Sequence, residues 1–158
     1  MKHLILDFET LGQNIMDCAV IDCSVIVADT EKMISDNPYT LESISVTKKF
    51  KLSVKDQVDN YGWVVYKDTV SFWESLPEEA RKHIKPKSTD LYLSEFVDQF
   101  LTYLINQGKI DYWWSRSNTF DPILIWRIFN SQNKYAAMNE HLPYWKVRDI
   151  RTFIDAKL

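Results

Sequence analysis

The sequence predicts one α/β domain, a mixed five-stranded sheet with helices on both faces, and three observations predict it. Three β-rich segments come first, within residues 4–52. Helical and strand-like segments then alternate to the end of the chain. The 158 residues, 46% of them hydrophobic, are also enough to bury a single core. Three antiparallel strands followed by parallel strands with helical crossovers make a mixed sheet covered on both faces, as the right-handed crossover rule favours.

Each element has its own warrant. The apolar run Leu4 to Phe8, broken by Asp7, is a short strand ending in a turn at Glu9-Thr10-Leu11-Gly12. Cys18 to Ala28 is rich in Val, Ile and Cys, and Ser43 to Leu52 sets Ile44, Val46, Phe50 and Leu52 among polar residues. These two strands are expected to pair antiparallel across the polar segment Asp29 to Tyr39. Pro77-Glu78-Glu79 opens a short helix, since proline fits the first turn and acids suit the positive end of the helix dipole. Leu93, Phe96, Val97, Phe100, Leu101 and Leu104 recur at three and four, the stripe of a helix lying on a sheet, and Gly108 ends it. Ile110 to Trp114 is a strand, Phe120 to Phe129 a helix begun at Asp121-Pro122, and Tyr144 to Asp149 a strand. A last helix begins near Ile150 and is expected to be incomplete.

Composition excludes more than it selects. Three glycines, five prolines and no biased tract leave no place for a linker or a low-complexity region. The N-terminal apolar run is too short for a signal sequence or a membrane span, so a cytoplasmic protein is expected. Cys18 and Cys23, five apart on one strand, point to opposite faces and are expected to be reduced core thiols. A formal charge of −3 gives no global attraction for a polyanion, so nucleic-acid binding would need local basic groups or metal ions.

The residues with chemical promise are acidic. Asp7 and Glu9 are two apart on a strand, so both carboxylates leave one face near its carboxyl end, where open sheets place ligands. Two close anions suit a hard Mg²⁺ or Mn²⁺, although a bare Asp-x-Glu is more often an exposed acidic turn. Asp121 follows a strand and opens a helix, so it is a third candidate ligand. Asp before Pro also reads as a helix cap with no metal, and the two roles can coexist.

Leu6-Asp7-Phe8-Glu9-Thr10 and Asn118-Thr119-Phe120-Asp121-Pro122 together resemble the first two motifs of the DEDD superfamily of exonucleases. Trp114-x-Arg116-x4-Asp121 and Val147-Arg148-Asp149-Ile150-Arg151-Thr152 resemble its T-even phage exodeoxyribonuclease branch, and the likeness spans the chain. The resemblance implies a ribonuclease H-like fold and a 3′-5′ exonuclease that hydrolyses single-stranded DNA to 5′-mononucleotides by a two-metal mechanism. Asp7, Glu9 and Asp121 would be catalytic and would hold two Mg²⁺ or Mn²⁺ ions. Family members carry a fourth acid in a third motif, His-x4-Asp or Tyr-x3-Asp, on the final helix. None of His3, His83 and His141 has an aspartate five residues on, and Tyr144 with Asp149 has the histidine spacing on a strand. Residues 1–158 are therefore expected to be one exonuclease domain lacking the third-motif segment, impaired or inactive in this form.

In relatives, the backbone and apolar side chain at Thr10, Leu11 and Gly12 contact the terminal nucleotide, which makes Leu11 the wedge candidate. Trp114, Arg116, Asn118 and Phe120 surround the second motif, where an aromatic can stack a base and an arginine can meet a phosphate. Arg148 and Arg151 are further phosphate candidates, unless Asp149 pairs with Arg116 or Arg151 in a structural network. The groups Lys48, Lys49, Lys51 and Arg81, Lys82, Lys85, Lys87 are ordinarily solvated faces that can also guide a strand. The expected partner is the 3′ end of single-stranded DNA, with RNA as the alternative and no membrane or protein partner indicated. A phage-encoded protein would act in the host cytoplasm. The rival from another class is a noncatalytic nucleic-acid-binding module that keeps the fold without the fourth acid.

Overall fold

The computed structural model describes residues 1–158. Its centre is a five-stranded sheet in the order β3-β2-β1-β4-β5. The strands are β1 (Lys2–Thr10), β2 (Val20–Asp29), β3 (Ser45–Lys51), β4 (Tyr112–Ser115) and β5 (Val147–Asp149). β1 pairs antiparallel with β2, and β2 with β3, whereas β4 joins β1 and β5 joins β4 in parallel. This is the mixed sheet the sequence predicts.

Nine helices accompany it: α1 (Thr30–Ser35), α2 (Leu41–Ile44), α3 (Val54–Tyr61), α4 (Lys67–Glu74), α5 (Glu78–Ile84), α6 (Leu93–Gln107), α7 (Asp121–Ser131), α8 (Tyr135–His141) and α9 (Ile150–Asp155). On one face, Leu4, Leu6 and Phe8 of β1 and Cys23, Val25 and Val27 of β2 meet Phe96 and Phe100 of α6, Leu124 and Phe129 of α7 and Met138 of α8 in one buried cluster. Beyond the other end of β1, Leu11, Ala19 and Ile21 form a smaller cluster against Val70 and Trp73 of α4 and Ile84 of α5. On the sheet's second face Phe153 of α9 packs edge-on against Trp114, 5.7 Å between centroids. Trp113, the core candidate, is fully buried, and its indole donates to Pro143 O at 2.9 Å.

Several boundaries differ from expectation. β1 runs on through Glu9 and Thr10, because those residues still pair with Asp22 and Val20 across a bulge. Cys18 lies before β2, so the opposite-face argument does not apply to it. Both thiols are free and sit in the same core. Residues Tyr144–Lys146 form a 3₁₀ turn, and the strand is only Val147–Asp149. The polar segment after β2 contains α1 and α2, too short to show a stripe. α3 is also unpredicted, and it holds the start of β2: buried Gln57 accepts from Val20 N–H at 2.7 Å and donates to Val20 O at 2.8 Å. Its neighbour Asp56 accepts the Leu93 N–H at 2.8 Å, placing a carboxylate at the positive end of α6. No helix is long and apolar enough to cross a membrane.

Candidate active site

Alternation along β1 decides which side chains are available. Leu4, Leu6 and Phe8 are buried in the core, so Ile5, Asp7 and Glu9 necessarily leave the opposite face. Parallel pairing between β1 and β4 is recorded only at His3↔Tyr112, Leu4↔Trp113 and Ile5↔Trp114. Beyond that point the chain of β4 turns away toward α7, and the Phe8 N–H needs another acceptor. Asp121 supplies it, with Oδ1 at 3.0 Å. The second-motif acid is thereby fixed to the backbone between Asp7 and Glu9, although it is over a hundred residues distant in sequence. Asp121 is the first residue of α7 rather than its N-cap, which is Phe120, so its carboxylate is free to bond β1 while its charge still lies in the helix's first turn beside Pro122.

Electrostatics marks the same place. Burial raises the pKa of Asp121 to about 6, opposed by the Phe8 hydrogen bond and reinforced by the charge of Asp7. Asp7 is raised by desolvation and then by Asp22, with Arg116 opposing. Glu9 is raised by desolvation, then by Asp7 and Asp22. Asp22 belongs to this group because it lies directly across from Glu9 in the β1–β2 register and is 2% exposed. No sequence motif singles it out; the available signal is a lone acid in the run Ala19-Val20-Ile21-Asp22-Cys23, every residue of which is buried.

The four acids are not a closed cage: no three of them converge tightly enough to enclose an ion. Asp121 is held, while Asp7 is exposed and Glu9 half-buried, leaving their side chains room to turn. The donors nevertheless fit a divalent cation. All are hard carboxylate oxygens, and burial first and mutual negative charge second raise Asp7, Glu9 and Asp121, a penalty on the ionised forms that a bound cation would offset.

Beside Glu9 opens a cleft of about 750 Å³. Phe8, Glu9, Thr10, Gly12 and Phe120 line it together with Tyr66, Lys67, Phe72 and Trp73 from the α4 region. Of the substrate-contact candidates, Thr10, Gly12 and Phe120 line this cleft. Gly12 is required by close approach: a Cβ there would meet Tyr66 Cδ2 at 2.4 Å and Cys18 Cβ at 2.8 Å. Leu11, the wedge candidate, is instead 8% exposed and packed in the small cluster with Ala19 and Ile21, so it anchors the loop. Trp73 combines both tasks, lining the cleft while its indole donates to Thr10 O at 3.1 Å.

The remaining candidates separate. Arg116 is exposed and lowers the pKa of Asp7 by its charge, so it is near the acids. Trp114 is not among the residues lining the cleft, and its indole donates to His3 Nδ1 at 3.0 Å. Arg148 lies over the Tyr112 ring at 4.6 Å and donates to Trp145 O and Val147 O. Arg151 is exposed on α9 with no ion pair. Asp149 pairs with neither arginine; it caps α9 through Thr152 N–H at 3.0 Å and accepts from Asn118 N–H at 3.1 Å, which lowers its pKa. The Asn118 N–H thereby ties the β4–α7 loop to the N-cap of α9, and its side-chain oxygen accepts from Ser115 Oγ at 3.4 Å. Arg127 of α7, which sequence reading passes over, donates to Ile15 O and Cys18 O and stacks on Trp63 at 4.1 Å.

Residues 2–157 match the family described as the 3′-5′ exoribonuclease Rv2179c-like domain. The exodeoxyribonuclease of Enterobacteria phage T4 is 33% identical, over all of this chain and 73% of its own length. The fold superposes on E. coli exonuclease I in complex with a dT13 oligonucleotide, with a TM-score of 0.65, 16% identity, and coverage of 98% of this chain but 29% of that one. A zinc-ion-bound form of the E. coli enzyme with single-stranded DNA gives the same TM-score of 0.65. With its ribonuclease H-like sheet and its two acidic motifs meeting on β1, the chain belongs to the 3′-5′ exoribonuclease Rv2179c-like domain family.

Proposed function

We propose that the chain is a metal-dependent nuclease domain that removes nucleotides from the 3′ end of single-stranded DNA, with Asp7, Glu9 and Asp121 as the acids that carry the reaction. The observation that carries this reading is the Asp121 to Phe8 hydrogen bond of 3.0 Å, which joins the second motif to the strand bearing the first. Preference for DNA over RNA is supported by the 33% identity to the phage exodeoxyribonuclease along the whole chain, against the ribonuclease description of the family.

A divalent cation pair at such a site supplies a hydroxide nucleophile and charge stabilisation of the leaving oxygen. Asp7, Glu9 and Asp121 would hold it. Asp121 contributes rigidity, being locked by β1, and Asp7 and Glu9 contribute reach. Arg116, exposed beside Asp7, is the cation best sited to meet the phosphate being cut. The cleft receives the terminal nucleotide: Phe120 and Phe72 offer apolar faces for a base, and Lys67 offers a cation for its phosphate. Arg148, committed to Tyr112 and to carbonyls, acts as part of the sheet's edge rather than on substrate.

A second reading, a nucleic-acid-binding module without turnover, is favoured by one observation: no His-x4-Asp occurs in residues 1–158 to supply a fourth acid. We therefore expect this 158-residue polypeptide to cleave slowly. The test is a 5′-labelled dT oligonucleotide with Mn²⁺, alone and in competition with the same length of RNA. Slow shortening from the 3′ end, lost in Asp7→Asn and in Asp121→Asn, supports the proposal. Shortening that survives both changes sinks it, and preferential loss of the RNA makes the domain an exoribonuclease.

A further inference from the structure

Two cross-strand rows run over the acidic face of the sheet. Register places Asp7, Ser24 and Lys49 in one row and Glu9, Asp22 and Lys51 in the next, so each begins with a motif acid and ends with a lysine on the edge strand β3. Like charges directly opposite on neighbouring strands repel, and Glu9 faces Asp22 in that way. Asp22 is also 2% exposed, and its Oδ2 receives no hydrogen bond. Burying such a carboxylate is costly unless a cation compensates it. Its single ion pair is with Lys49, whose Nζ stands 3.0 Å from that oxygen. Lys51 is engaged elsewhere, 3.6 Å from buried Asp90. Lys49 is half in solvent and has no other carboxylate within ion-pair distance.

We propose that Lys49, seated on Asp22, is an internal counter-ion of the acidic site that competes with the divalent cation and so sets how tightly that cation binds. The inference rests on the reading of Asp7, Glu9 and Asp121 as cation ligands. Lys49 is a positioning residue: it touches neither substrate nor cation, and acts through the carboxylate it neutralises. Without a divalent ion, its single charge offsets part of the crowding of Asp7, Glu9, Asp22 and Asp121. When the ion is bound, the same lysine repels it. Asp22 works in the opposite sense, adding negative potential behind Glu9.

Titration calorimetry with Mn²⁺ on the folded chain tests this without reference to turnover. Wild type is expected to bind Mn²⁺ at a site that Asp7→Asn weakens. Lys49→Gln should bind it about five- to tenfold more tightly, the effect of deleting one nearby charge at an effective dielectric between those of protein and water. Lys49→Arg restores the charge and should return the affinity to within about twofold of wild type. Asp22→Asn should weaken binding. If Lys49→Gln needs Mn²⁺ to fold, its melting temperature in rising Mn²⁺ gives the reading, and a larger metal-induced rise than in wild type supports the inference. Unchanged or weaker Mn²⁺ binding by Lys49→Gln, or an equal or smaller rise, overturns it while leaving the acidic site standing. Wild-type binding that Asp7→Asn does not weaken overturns the site and this inference together.

Discussion

Asp121 shows what a single residue can be asked to do. Its carboxyl is held at about 6 in the fold against 3.8 for an aspartate free in water, chiefly because it is buried. A carboxyl raised in the folded state binds its proton more tightly there than in the unfolded chain. Its contribution to metal-free stability is therefore fully present below pH 3.8 and is lost as pH rises through about 6. The amount is about 3 kcal/mol from roughly two pKa units. Asp121→Asn keeps an acceptor for the Phe8 N–H but removes the charge. In denaturant melts without metal at pH 7 it should be more stable than wild type by up to about 3 kcal/mol, and the difference should shrink toward pH 4. A destabilised Asp121→Asn at pH 7 would contradict the account. Activity should fall in the same variant, so stability and function are predicted to move in opposite directions at one residue.

At the scale of elements, the loop between β1 and β2 shapes the cleft, and two contacts hold it. Gly12 permits the approach of Tyr66 and Cys18, so Gly12→Ala forces both apart. We expect a loss of about 1–3 kcal/mol, the usual cost of overpacking, visible as a lower urea midpoint, together with a raised KM for oligonucleotide. Arg127 holds the same loop from α7, the helix whose first residue is Asp121, by bonding Ile15 O and Cys18 O. Arg127→Met keeps much of the stacking surface on Trp63 but orphans two carbonyls. Hydrogen exchange should then quicken in residues 12–18 while the amides of α6 remain protected. Uniform loosening of the whole chain would show that Arg127 is a general core anchor.

Across the whole molecule, the sheet has a dry face and a charged one. The dry face is stiffened by aromatic packing among Phe50, Phe96, Phe100 and Phe129, with centroids 5.4–6.5 Å apart. The charged face carries clustered acids whose burial and repulsion a bound cation would relieve, so the proposed metal should act as a stabilising ligand of the native state. At one hundred times its dissociation constant, Mn²⁺ should add about 2.7 kcal/mol, and chelator should reverse the gain in thermal melts. Asp7→Asn should abolish most of that increment. A net charge of −3 makes the distribution of charge, rather than its total, the source of any attraction for nucleic acid. Oligonucleotide binding should accordingly weaken with salt, by a slope that reflects the few cations near the cleft, Lys67 and Arg116 among them.

The sequence by itself determined the mixed sheet, the helices α6 and α7, and the pair Asp7 and Glu9 on one face of β1. Those features follow from period and local chemistry: alternation along a strand, a three-four stripe along a helix, and two motifs whose residue types are unusual together. Only the tertiary structure decided that Asp121 bonds to β1 instead of capping its own helix, and that Leu11 is packed away while Phe72 and Trp73 line the cleft. It also decided that Asp22 stands opposite Glu9 with Lys49 upon it. The physical reason is that these relations depend on register and on where the β1–β4 pairing stops. One residue of slip would turn every side chain of a strand to the other face, and nothing local to Asp22, Lys49 or Asp121 records which partner the fold will bring to it.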